Sequence, residues 1–150
     1  MPGDFTNRFD REVLRSQMAE LQAKEKEGEK ARREEEAVDR RLAEIGAILE
    51  KRAAFIRERF PGAAPEPIEG AGFRFAFGPR AKREKGATFS IRARANDSRL
   101  AILVESDFEI PDAGVRERDY VSVPVREADI ERARKFVEAK LLDFARAYVA

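Results

Sequence analysis

Large apolar residues recur along this chain at two periods, every three or four positions as far as Phe60 and every second position from Phe73 onward. The first period is that of a helix with an apolar face, the second that of half-buried strands. Between Asp10 and Phe60 there is no proline, and only Gly28 and Gly46 interrupt a run of strong helix formers. The pattern predicts one long helix, which at about 1.5 Å per residue would extend roughly 75 Å. Asn7 or Asp10 can cap its first turn, and Pro61 with Gly62 ends it at Phe60. A hairpin turning at Gly28 is the alternative, but one glycine costs only about 1 kcal/mol inside a helix.

Two stripes lie on this helix. Val13, Leu14, Met18 and Leu21 form the first, and Val38, Leu42, Ile45, Leu49, Arg52 or Ala53, Ile56 and Phe60 form the second. Between them, Lys24 to Glu36 holds eleven charged residues and no large apolar one. Continuing the first register puts Glu25, Gly28, Arg32 and Glu35 on the seam, so the stripes are offset. The second alternates steps of four and three, as a coiled-coil heptad does. A helix of this length cannot bury itself against the small remainder, so the expectation is a homo-oligomer, a dimer favoured. Its seam would be Val38, Leu42, Ile45, Leu49 and Ile56, with parallel and antiparallel pairing both open. The competing expectation is that this stripe packs on the chain's own sheet.

The segment PGAAPEPIEG, residues 61–70, reads as a stiff linker because it holds three prolines. Beyond it, Phe73, Phe75 and Phe77 alternate with Arg74 and Ala76, and Phe89, Ile91, Ala93 and Ala95 alternate with Ser90, Arg92 and Arg94. A turn on Asp97 and Ser98 would set Ala95 opposite Leu100, Ala93 opposite Ile102 and Ile91 opposite Val104, matching apolar faces. Tyr120 to Val125 is a fourth strand, placed at an edge or ended by Pro124. From about Glu127 to Tyr148 an amphipathic helix carries Ile130, Ala133, Val137, Leu141, Phe144 and Tyr148 on one face, a natural lid for a sheet. The fold class expected is α+β: a long coiled-coil-like stalk over 1–60, a linker over 61–70, and a ββββα head over 71–150. The sheet is four-stranded and mostly antiparallel, as a meander or with a crossover.

Composition narrows the function. Thirty basic and 29 acidic residues leave a net charge of +1, so no global field holds the molecule on nucleic acid or membrane. Cysteine and histidine are both absent, which removes thiolate and imidazole chemistry. No phosphate-binding glycine loop or nucleophile elbow occurs, so neither an enzyme nor a cofactor is expected. The N-terminus lacks an apolar run of signal or membrane-spanning length, and the chain reads as cytoplasmic by default.

One local patch stands out. From Gly70 to Arg99 there are eight basic residues against two acidic ones, among them Arg74, Arg80, Lys82, Arg83, Lys85, Arg92 and Arg94. They are the candidate contacts for an anion or a nucleic-acid backbone. From Leu100 to Glu131 nine acidic residues meet three arginines, so neighbouring strands can instead neutralise each other, with Arg92 diagonal to Glu105. Glu105, Asp107 and Glu109 share a strand face but point in parallel, a poor cation cage, and no metal site is expected.

Long helix, small antiparallel sheet and closing helix form an order similar to that of the small bacterial nucleoid-associated proteins of the YbaB type. Those are dimers that bind DNA. The resemblance is one of element order and carries over no residue. The function expected from the residues themselves is that of a non-enzymatic, self-associating interaction or scaffold protein whose head contacts a protein partner. A nucleic-acid-binding module is the alternative.

Overall fold

The computed structural model describes residues 2–66, 68–80, 83–127 and 130–150. It divides into two compact units, Met1–Glu36 and Ala37–Ala150, and the division falls inside the first helix rather than at the proline-rich segment after it.

Helix α1 runs over Pro2–Arg59. It starts ahead of Asn7 because Pro2 tolerates the first helical turn, where its missing N–H would have no partner. Gly28 neither breaks nor turns it, and a Cβ there would meet nothing within 4 Å.

The second unit holds the last part of α1, then β1 (Ala64–Glu66), β2 (Ala71–Phe77), β3 (Ala87–Ala95), β4 (Ala101–Ile110), a 3-10 turn (Pro111–Ala113), β5 (Val115–Pro124) and α2 (Glu131–Val149). The sheet is a five-stranded antiparallel meander in the order β1-β2-β3-β4-β5, one strand more than the pattern predicts. The added strand comes from the expected linker. Ala64, Pro65 and Glu66 lie opposite Ala76, Phe75 and Arg74, and an edge is where a proline lacking its N–H can pair.

The β3–β4 hairpin is shifted by two residues from the expected register. Ala95 faces Ile102, Ala93 faces Val104, and Arg92 lies directly opposite Glu105. The reason is Asn96, whose side-chain oxygen accepts from the N–H groups of Leu100 and Ala101 at 3.0 and 3.1 Å and so enlarges the turn. Leu100 is left outside at 62 % exposure. A slip of two preserves the faces, because side chains alternate with period two.

Phe73, Phe75, Phe77, Phe89, Ile91, Val104 and Phe108 form the inner sheet face, and α2 closes it with Ala133, Val137, Phe144 and Tyr148. Val38, Ile45, Leu49, Ala53 and Ile56 of α1 belong to the same core, with Leu42 partly buried against it. The second stripe is thus buried against the chain's own sheet. Val38, Ile45, Leu49 and Ile56 face no solvent from which a second helix could reach them, which corrects the expectation of an intersubunit coiled-coil seam there. Arg52 of α1 and Glu138 of α2 join the two helices by an ion pair.

Candidate functional site

Among the described residues, two exposed surfaces are the candidates. The first is the outer face of the sheet, and alternation puts its side chains there. The residues of β3 and β4 between the core positions are Thr88, Ser90, Arg92, Arg94, Leu103, Glu105, Asp107 and Glu109, and Arg74 of β2 and Arg116, Arg118 and Tyr120 of β5 share their side. Arg74, Ser90, Arg92, Leu103, Glu105, Asp107, Arg118 and Tyr120 of this face, with Ile68, border an open concavity of about 660 Å³.

On this face the acidic row of β4 lies between basic residues of β3 and β5. Glu105 accepts from the Nε of Arg92 at 3.1 Å and of Arg94 at 2.9 Å. Asp107 accepts from Arg118 Nε at 3.1 Å and lies 3.5 Å from Arg116. Arg74 lies 3.7 Å from Glu66 on β1. Partial burial pushes the Glu105 carboxyl up, but the hydrogen bonds and charges of Arg94 and Arg92 hold it below the ordinary carboxylate range.

Two further residues of the expected basic patch, Arg80 and Arg83, are also engaged within the chain. Arg83 donates to three carbonyls at the end of α2, those of Tyr148 at 2.7 Å, Ala147 at 3.1 Å and Ala150 at 2.9 Å, so it caps that helix at its negative end. Arg80 lies over the Tyr148 ring, 5.6 Å from its centroid. The Lys85 backbone N–H donates to Asp112 at 2.5 Å, while Lys82 lies outside the described residues. Arg80 and Arg83 meet at Tyr148, which packs on the inner sheet face, whereas Arg74, Arg92 and Arg94 lie on the outer face.

A second charged cluster lies on the helical side of β5. The Lys140 ammonium, 12 % exposed, sits 2.6 Å from Asp119, 3.2 Å from Glu117 and 3.5 Å from Asp143. The hydrogen bond to Asp119 raises the Lys140 pKa against its partial burial, and that bond with the Tyr120 N–H lowers the Asp119 carboxyl. Periodicity gave no sign of this cluster, since Glu117 and Asp119 precede the apolar stretch of β5.

The free edge of β5 is poorly suited to pairing with another strand. Asp119 Oδ1 accepts from the Tyr120 N–H at 2.8 Å, Arg132 donates to the Ser122 carbonyl at 3.3 Å, and Pro124 has no N–H. Capped groups of this kind blunt an edge.

The second surface is in the unit Met1–Glu36. Phe5, Phe9, Val13, Leu14, Met18 and Leu21 are exposed, from 41 % for Val13 to 74 % for Phe5, and the Phe5 and Phe9 rings stack at 6.4 Å. Phe5 and Phe9 escape a reading that starts the helix at Asn7 or Asp10; the step of four from Val13 back to both was the available signal.

Among the described residues no three carboxylates are gathered so as to hold a metal ion, and no helix is long and apolar enough to cross a membrane. Comparison with protein-family models, curated proteins and solved structures finds no match to this chain.

Proposed function

We propose that this chain is a non-catalytic interaction protein that self-associates through the first part of α1 and offers the outer face of its sheet to a protein partner. The observation that carries this reading is the set of six large apolar side chains between Phe5 and Leu21, all exposed on α1. A helix in water owes most of its stability to packing of such a face, and exposed apolar patches of this extent mark interaction sites. The outer sheet face supports the second half of the reading. It combines Tyr120, at 67 % exposure, and Leu103 with ordered arginines and carboxylates, the mixture of amphipathic and polar groups found at protein contacts.

The alternative of a nucleic-acid-binding module gains little from these side chains. Arg92 and Arg94 share one carboxylate, Arg83 caps a helix, and Arg74 faces Glu66, so phosphates would have to displace existing partners.

The test is the mass of the intact chain in solution beside the variant Phe9→Glu/Met18→Glu. The intact chain is expected at twice its 17.0 kDa and the variant at 17.0 kDa, with equal unfolding midpoints for both. An intact chain that stays at 17.0 kDa from micromolar to millimolar concentration refutes self-association.

A further inference from the structure

We draw no further inference here: the strongest candidate, the groove of about 390 Å³ between α1 and the part of β2 beyond its pairing with β1, is walled by Ala43, Gly46, Ala47, Ala71 and Gly72, a stripe of small residues, and nothing in the structure shows what covers it.

Discussion

Replacing Leu49 by alanine tests whether the second stripe of α1 serves folding. Leu49 is 1 % exposed in the core formed by α1, α2 and the sheet, so all three deleted carbons leave an apolar environment. At about 0.8 kcal/mol per methylene the transfer loss is about 2.4 kcal/mol. A cavity term adds to it, since the surrounding helices and strands close only in part, and the sum is about 3–4 kcal/mol. The assay is urea unfolding followed by tyrosine fluorescence, because Tyr148 is 7 % exposed in this core while Tyr120 is already in solvent. The unfolding free energy should fall by the amount above, and the midpoint should be the same at protein concentrations a hundredfold apart. Two results refute the reasoning: a loss below about 1 kcal/mol, which would mean Leu49 is not packed as described, or a loss that shrinks as concentration rises, which would place Leu49 between subunits after all.

Two further outcomes follow from the sheet and its charges. Gly72 has φ +147°, and a Cβ there would lie 2.2 Å from the Ile91 carbonyl oxygen and 2.7 Å from Arg92 Cα, so Gly72→Ala should cost about 2 kcal/mol or more and lower the thermal midpoint. Glu105 and Asp119 are held below their ordinary values of 4.5 and 3.8, so their contribution is complete above those values and disappears as pH falls through the lower folded ones. Lys140 is raised above 10.5, so its contribution is complete below 10.5 and is lost as pH rises through the higher folded value. Urea midpoints measured across pH should fall at both ends; a midpoint that stays flat below pH 3.8 would show that these carboxylates are not paired in solution.

Much of this architecture was legible as alternation. Phe73, Phe75, Phe77 and Phe89 are in the core because strand geometry leaves them no other side, and a lidding helix over Ala133–Tyr148 follows from its single apolar face. The two-residue slip at Asn96 was invisible to pattern, since both registers keep every residue on its face; only the side-chain bonds of Asn96 distinguish them. Strand β1 was hidden because three residues containing Pro65 have too little sequence to alternate. For the second stripe of α1 the ambiguity is physical. Steps of three and four describe both a coiled-coil seam and a helix lying on a sheet, and what distinguishes them is width. Ile48 and Ala53 widen the buried face beyond a two-position seam, and Gly46 brings the helix close to β2, where a Cβ would lie 3.4 Å from that of Ala71. The outer sheet face was readable as two opposed charge blocks, but which arginine meets which carboxylate depended on the register.

The second stripe of α1 lies in the core of the second unit, whereas the first is exposed in the other unit. Val38 to Ile56 keeps to three and four because it lies along a sheet and a neighbouring helix, where the contact must stay on one side for five turns. Phe5, Phe9 and Val13 advance by fours, and Leu14, Met18 and Leu21 follow at steps of four and three. Between them, Lys24 to Glu36 has no large apolar residue that could continue either, yet its opposite charges four apart, as in Glu29 and Arg33, sustain the helix itself. The two stripes belong to different compact units, so the effects of substitutions in them on mass and on unfolding should add without coupling. If Met18→Glu altered the unfolding cost of Leu49→Ala, a single cooperative seam would be required, and the separation of assembly from folding along this helix would fail.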